Sequence, residues 1–319
     1  MANSIQEKGN VDTTGSDFKT IRVKELHPTF GAEIEGVDFL SPSDEQFEEV
    51  LRAMAKYGFC VFRKTGMDDA AHVEFSRRLG DLDDIRPYIT SGRKMRYEYY
   101  ELFDAGNVDD DGNVIDPNSP KAQAMRFSTS TALSTHDEHL ILFFARSSFP
   151  HLAMGGNTDF ADSRTAFDEL PEPLKDEVLK NDYVAAHSLS HSRKKAAPDF
   201  FKDVDVNSQP MYLHKLAQLH EPSKRMNLYV AAHAHHVEDV SKERSDQLLE
   251  TLLEHITQEK YRTSVAWENV GDMIIWDNTS TAWGLNDPGS SKRPGFDMDR
   301  SNDLRAPSIQ PQQVQPIAL

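Results

Sequence analysis

Residues 155–171 read GGNTDFADSRTAFDELP, and the rest of the chain is best interpreted outward from this stretch. It opens with a Gly-Gly turn, passes through a short strand of mixed polar and apolar residues, and runs into a helix. Asp162 is placed to cap that helix, because its carboxylate can accept a hydrogen bond from a free amide of the first turn. Ala166, Phe167 and Leu170 follow at helical spacing and predict the buried face of the helix.

Length, composition and net charge limit the classes of protein to which this chain can belong. The chain has 319 residues, 38% of them hydrophobic and 27% charged, which is typical of a folded chain of one large or two small domains. No apolar run approaches the roughly 18–20 residues that a membrane-spanning helix needs, and the N-terminus lacks the apolar core of a secretory signal. The net charge of −17 argues against nucleic acid and anionic membranes as partners. We therefore expect a small-molecule partner, and the sequence leaves an oligomer open.

The chain contains one cysteine, Cys60, so an internal disulfide is excluded and a reducing, cytoplasmic compartment is expected. Cys60 lies in the apolar stretch 57–62, which predicts a packed core thiol. A catalytic Cys-His pair is disfavoured by that apolar setting.

The N-terminal half predicts alternating strands and helices. Strands are expected over 20–37 and around Val61. A helix should begin at 41–45 with a Ser or Asp cap and end at Gly58. A second helix should begin at Asp68 or Asp69 and stop at Gly80. The inward positions of the two helices are predicted to be Phe47, Val50, Leu51 and Met54, then Phe75 and Leu79.

The C-terminal half is predicted in the same way. Helix continues over 173–179, a long loop covers 194–225, and a strand follows at 227–233. A strongly amphipathic helix spans 240–258, and strands at 261–267 and 272–276 are separated by a turn at Gly271. The acidic loop 104–119 lacks the spacing of a calcium-binding loop, which leaves a solvated loop. We predict one domain over 19–283, with disordered segments at 1–18 and 284–319.

Several of these segments together resemble one family, the Fe(II)/2-oxoglutarate-dependent dioxygenases of the taurine and 2,4-dichlorophenoxyacetate type. The segments are GGNTDFADSRTAFDELP at 155–171, GAEIEGVDF at 31–39, YGFCVFR at 57–63, HVEFSRRLGDL at 72–82 and AHSLSHSR at 186–193. The resemblance covers roughly residues 20–125 and 155–278.

This resemblance implies a mostly β fold, a double-stranded β-helix (jelly-roll) core with flanking helices, here incomplete. It implies Fe(II) and 2-oxoglutarate as cofactors and oxidative decarboxylation of 2-oxoglutarate coupled to hydroxylation of a small, often anionic, substrate. It also implies that Thr158 helps to bind 2-oxoglutarate.

The same resemblance requires iron ligands that the sequence does not show. The family uses two His and one carboxylate, which leave open positions on the metal. A His-x-Asp is expected upstream of Thr158, and a second His and a 2-oxoglutarate-binding Arg are expected after Asn278. Residues 127–154 match nothing in the family, although His136 and Glu138 offer a literal His-x-Glu as an alternative ligand pair. We predict no metal ligands at the family positions.

Our hypothesis is that two sequence defects explain this loss. When synonymous codons are chosen for residues 127–154 and the DNA is read in a shifted frame, the product resembles the family's iron-binding strand and proline turn. We therefore interpret the segment as translated out of frame. After Asn278 the chain passes straight into Ser280-Thr281-Ala282-Trp283-Gly284-Leu285-Asn286, which resembles a segment that follows the Arg strand in relatives and indicates an internal deletion.

The chain is therefore predicted to be inactive as a dioxygenase in its present form. The alternatives are a catalytically dead binding or interaction protein on the same fold and an unstable product with no function. The remaining histidines, at 187, 191, 233, 235 and 236, are interpreted as surface or pocket-lining residues, with a metal cluster as the alternative.

Overall fold

The structure is a computed structural model, and it describes residues 17–82, 84, 86, 98–102, 133–134, 140–144, 157–188, 190–191, 194, 202, 205–208, 211–231 and 233–286. Its helices are α1 (Asp44–Tyr57), α2 (Asp69–Arg77), α3 (Ser163–Asp168), α4 (Glu172–Asn181) and α5 (Lys242–Ile256). Its strands are β1 (Arg22–Glu25), β2 (Ala32–Glu35), β3 (Phe59–Phe62), β4 (Leu133–Ser134), β5 (Leu140–Phe144), β6 (Asn157–Asp162), β7 (Val184–His187), β8 (Tyr212–Lys215), β9 (Ala217–His220), β10 (Arg225–Leu228), β11 (Ala234–Val237), β12 (Arg262–Val265), β13 (Met273–Asp277) and β14 (Thr281–Asn286).

The largest sheet has the strand order β1-β2-β3-β13-β5-β4. Strand β13 is buried along its whole length and pairs antiparallel with β3 on one side and β5 on the other. Such a strand must be apolar on both faces, which explains its sequence Met-Ile-Ile-Trp. The apolar run 140–144 forms β5, so its backbone is part of this sheet.

A second sheet, with the order β12-β6-β14, carries the 155–171 stretch in its centre. Because side chains alternate along a strand, its two faces enter different cores. Phe160 stacks on Phe59 of the main sheet at 4.1 Å between ring centroids and meets Trp276 edge-on at 5.7 Å. Ala161, on the opposite face, packs in the cluster that contains Leu252 of α5. The two sheets therefore lie face to face with an aromatic core between them.

Two smaller sheets complete the described fold, with orders β11-β7-β8 and β10-β9. They correct the predicted loop over 194–225, since β8 and β9 both lie inside that range. Each has four residues, and β8 alternates between half-buried and exposed positions. Such short, polar strands give a weak sequence signal, and β11 was missed for the same reason.

The predicted caps of α1 and α2 and the predicted end of α1 are confirmed, because their signals are local, whereas α2 ends at Arg77 and not at the predicted Gly80. The Ser43 side chain caps α1 by accepting from the Gln46 amide, and Gly58 ends the helix at φ 78°. Asp68 caps α2. Leu51 was predicted to face inward, but it is 36% exposed. The predicted helix through 173–179 is α4, and it is separated from α3 by a break that ends at Pro171.

Other predictions concern the chain ends and the single thiol. Strand β14 runs to Asn286, and the domain limits at 19 and 283 stay a prediction. The segments 1–16, 104–119 and 287–319 lie outside the described residues. Cys60 is fully buried in β3, which confirms the packed core thiol. Within the described ranges, no helix has the length and apolar character needed to cross a bilayer.

Candidate functional site

Thr158 lies on β6, opposite Val265 of β12 and Leu285 of β14. It is 3% exposed, and it faces the same side as Phe160, two residues further along the strand. Its hydroxyl oxygen accepts a hydrogen bond of 3.2 Å from the Trp267 indole N–H. The sequence-predicted residue therefore faces the core between the two sheets, with a hydroxyl oriented by an aromatic donor.

The buried carboxylate of Asp162 holds the C-terminal end of β6 in place. The Asp162 carboxylate accepts from the amides of Arg164 and Thr165 at 3.2 Å each and from the Thr165 hydroxyl at 2.5 Å. This confirms the predicted cap and satisfies amide donors that the first turn of a helix leaves free. The cap fixes the direction in which the chain leaves Thr158.

The Arg164 side chain joins that junction to the first helix. Its guanidinium is fully buried and donates to the carbonyl oxygens of Ala55, at 2.8 Å, and Lys56, at 3.2 Å, in the last turn of α1. Burial lowers the pKa of Arg164, while the nearby Asp162 carboxylate opposes that shift. Arg164 therefore has a structural role: its guanidinium donates to carbonyl oxygens at the end of α1, where the helix itself supplies no amide donors.

A second buried polar cluster lies at the end of β13. The Asp277 carboxylate is 2.7 Å from Nε2 of His220, whose Nδ1 is 2.5 Å from the Ser223 hydroxyl. The other Asp277 oxygen accepts from the Thr279 amide at 2.8 Å and from the Thr279 hydroxyl at 2.6 Å. The His220 side chain is fully buried, and the Asp277 side chain is 5% exposed.

Sequence reasoning missed this His220–Asp277 pair. His220 falls in the segment that was predicted as loop, and it stands 57 positions from its partner. One local signal was present in the turn sequence His220-Glu221-Pro222-Ser223. Pro and Ser are typical turn residues, and a turn at this point predicts that the Ser223 hydroxyl lies near the His220 ring. Nothing local identifies the partner across the fold.

The histidines at 187, 191, 233, 235 and 236 lie around β7 and β11, and His214 of β8 joins them. His187 is buried, stacks on Tyr229, and has the rings of His214 and His233 at 5.0 and 4.7 Å between centroids. His191 and His236 contact the His235 ring at 4.8 and 5.0 Å. Burial lowers the pKa of His214 and of His235. The residues predicted as surface or pocket-lining thus fall into two groups of ring contacts, one around His187 and one around His235, and His187 belongs to the interior.

The described residues do not fit an iron ion. Among them, no group of three or more His, Cys, Asp or Glu side chains is arranged to hold a metal. Asp277 precedes the expected second ligand, and its carboxylate oxygens are bonded to His220 and Thr279. His136 and Glu138, the alternative pair, lie outside the described residues.

A surface groove of about 490 Å³ lies elsewhere, between α4 and the β8–β9 segment. Its apolar lining includes Leu179, Leu213 and Leu219, which are 48%, 55% and 48% exposed. Thr158, Trp267 and Asp277 are not among its lining residues, so the groove is separate from the candidate site.

Comparison with known proteins gives a family match over most of the chain. The family model described as "Taurine catabolism dioxygenase TauD, TfdA family" matches residues 22–285. An alpha-ketoglutarate-dependent 2,4-dichlorophenoxyacetate dioxygenase from Burkholderia sp. (strain RASC) is 30% identical over 81% of this chain and 86% of its own length. The protein of that name from Cupriavidus pinatubonensis (strain JMP 134 / LMG 1197) is 31% identical over 79% and 88%.

A solved structure supports the same relationship. The crystal structure of AAD-2 in complex with Mn(II) and N-oxalylglycine has a TM-score of 0.70 and 27% identity, and it covers 88% of this chain and 94% of its own. The fold is therefore the jelly roll of these dioxygenases, as the sequence predicted.

Proposed function

The chain belongs to the taurine catabolism dioxygenase TauD, TfdA family, and from this premise we propose that its candidate site is derived from one that hydroxylates a small anionic substrate with Fe(II) and 2-oxoglutarate. Relatives are named for action on a phenoxyacetate and on sulfonates, which are small and anionic. The observation that carries the proposal is Thr158, buried between the two sheets with its hydroxyl oriented by Trp267.

Thr158 can contribute one specific contact to a dicarboxylate such as 2-oxoglutarate. Because its oxygen accepts from the Trp267 N–H, its own proton remains to be donated to a carboxylate oxygen. Hydrogen bonds to a charged acceptor are roughly twice as strong as neutral ones.

We further propose that the chain in its present form does not turn over. The sequence lacks the family's His-x-Asp and second His at their expected positions, and the described residues offer no three-ligand group in their place. The second candidate is a binding or interaction protein on the same fold. It is favoured by the engagement of Asp277 with His220, which closes the strand end through a protein contact.

The Thr158 contact is tested with N-oxalylglycine, a non-reacting relative of 2-oxoglutarate, without added metal, because the described residues include no group of side chains arranged to hold one. Thr158→Val should weaken binding in calorimetry by about tenfold or more, since a hydrogen bond to a charged group contributes about 1.5–3 kcal/mol. Thr158→Ser, which keeps a hydroxyl, should bind like the wild type.

Thr263→Val is the matched control, because Thr263 lies on the neighbouring strand opposite Phe160. It should leave the affinity unchanged. Equal affinity of Thr158→Val and wild type would contradict the role of Thr158. Absence of binding to the wild type at millimolar ligand would contradict 2-oxoglutarate recognition by this chain.

A further inference from the structure

His220 ties a surface hairpin to the interior of the molecule. It is the last residue of β9, and the turn 221–224 joins it to β10. Ser223, in that turn, lies 2.5 Å from Nδ1 and so sets the plane of the ring, while Nε2 reaches Asp277 at 2.7 Å. A fully buried imidazole with a partner on each nitrogen has one fixed orientation.

Asp277 in turn organises the chain that follows it. Its amide donates to the Gly58 carbonyl at 2.9 Å. Its own carbonyl accepts from the Ser280 amide at 3.1 Å and from the Thr281 hydroxyl at 2.8 Å. With the two bonds from Thr279 to its carboxylate, one residue determines the conformation of the whole 277–281 turn.

The 277–281 turn places β14 beside β6, with which it pairs antiparallel. Thr281 pairs with Asp162 at one end of the ladder, and Leu285 pairs with Thr158 towards the other. A shift of one residue in a strand moves every side chain to the opposite face. The geometry of the turn therefore decides where β14 lies beside Thr158.

We propose that His220 is a positioning residue for the candidate site: by holding Asp277 it fixes the 277–281 turn and the β6–β14 register that surrounds Thr158. This inference rests on the proposed function where it concerns ligand binding. The mechanical part, in which His220 holds the turn, stands on the contacts alone.

Two substitutions at one position separate the two nitrogens of the ring. Glutamine places its amide nitrogen where histidine has Nε2, and asparagine places it where histidine has Nδ1. His220→Gln therefore keeps a donor for Asp277 and loses the Ser223 contact. His220→Asn keeps a group beside Ser223 and leaves Asp277 without its partner from β9.

Hydrogen exchange of the backbone amides is the first readout, because it reports local opening. His220→Asn should speed exchange at the Thr279 and Ser280 amides by about tenfold or more, while His220→Gln stays within about threefold of wild type. The β1–β2 hairpin, whose strands are 22–25 and 32–35, is the internal reference and should be unchanged. Equal effects of the two variants, or equal acceleration in the hairpin, would overturn the proposal.

Binding of N-oxalylglycine without added metal is the second readout. His220→Asn should lower the affinity by about tenfold, and His220→Gln should retain it. If the wild type binds nothing, the proposed function fails, and the exchange comparison still decides whether His220 holds the turn. If the wild type binds and His220→Asn binds equally well, the positioning role is overturned.

Should His220→Asn fail to fold, Asp277→Asn provides the same test from the other side of the bond. It leaves one oxygen acceptor where the carboxylate has two, so exchange at Thr279 and Ser280 should rise by about tenfold or more, as for His220→Asn. Unchanged exchange in a folded Asp277→Asn protein would overturn the proposal.

Discussion

Glu49 is a buried carboxylate that fixes the entry of the chain into β1. It accepts from the amides of Lys19 and Thr20 at 2.7 and 2.8 Å and from the Thr20 hydroxyl at 2.7 Å. Burial alone would raise the pKa of Glu49, but these hydrogen bonds outweigh it and lower the pKa to about 2. The ionised side chain thus serves as an anchor for the first strand.

Glu49→Gln should reduce the free energy of unfolding at pH 7 by about 1.5–3 kcal/mol, because charged hydrogen bonds become neutral ones. The folded-state pKa of Glu49 is lowered, so its contribution is present above the ordinary pKa of 4.5 and is lost as the pH falls towards 2. Urea unfolding at a series of pH values measures this loss. Glu48→Gln, at an exposed position of the same helix, is the control, and equal behaviour of the two variants would refute the anchor.

The sequence predicted those contacts whose two partners are close together along the chain. The caps Ser43, Asp68 and Asp162 bond amides two or three positions away, so residue type and spacing were sufficient. The bond between His220 and Asp277 joins residues 57 positions apart. It exists only because the fold brings two strand ends together, and no local pattern indicates it.

Among the secondary-structure elements, three meet at Gly58. It ends α1 at φ 78°, a conformation that favours glycine. A side-chain carbon there would lie 2.8 Å from Thr281 Cγ2, 3.0 Å from Arg164 Nη2 and 3.1 Å from Ser280 Oγ. Three parts of the fold therefore pack closely around Gly58: the end of α1, the β6–α3 junction and the 277–281 turn. Only a residue without a side chain fits between them.

Gly58→Ala should lower the free energy of unfolding by about 2–4 kcal/mol, since it combines the cost of a positive φ with overpacking. Gly66→Ala is the matched control: its φ is 73°, and a side-chain carbon would meet nothing within 4 Å. It should cost only about 1 kcal/mol. Chemical denaturation of both variants measures the two free energies of unfolding. Equal decreases would show that the neighbours of Gly58 can move to accept a side-chain carbon.

The predicted elements succeeded where the apolar pattern is long or continuous. The amphipathic helix α5 and the buried strand β13 were both found, because many residues contribute to each pattern. Strands β8 and β9 were missed because four residues with exposed leucines do not differ from a loop. Their pairing depends on neighbours that the chain reaches only after folding.

For the whole molecule, the resemblance predicted the fold class, and the face-to-face sheets agree with it. The 155–171 stretch was informative because β6 is central in its sheet and leads directly into a capped helix. The iron site was beyond prediction from local physics. Its ligands are expected from distant segments of the chain, and the absence of the family's residues from 127–154 and after Asn278 stays a prediction.

The out-of-frame and deletion hypotheses stay predictions. Sequencing the transcript across codons 120–160 and 275–290 examines them directly. A transcript that reads in the family frame over 127–154 would support the first hypothesis, and an intron boundary that leaves the present frame intact would exclude it. Restoring both segments should recover iron binding and turnover together.

This chain keeps the family's fold, and we propose that Thr158 keeps its position in a site that no longer holds iron. Release of succinate from 2-oxoglutarate by the purified chain, with Fe(II) and dioxygen supplied, tests it most directly. We expect no succinate above the protein-free background, from a protein that nevertheless melts cooperatively. Succinate release that requires both oxygen and iron and stops when a chelator is added would contradict it.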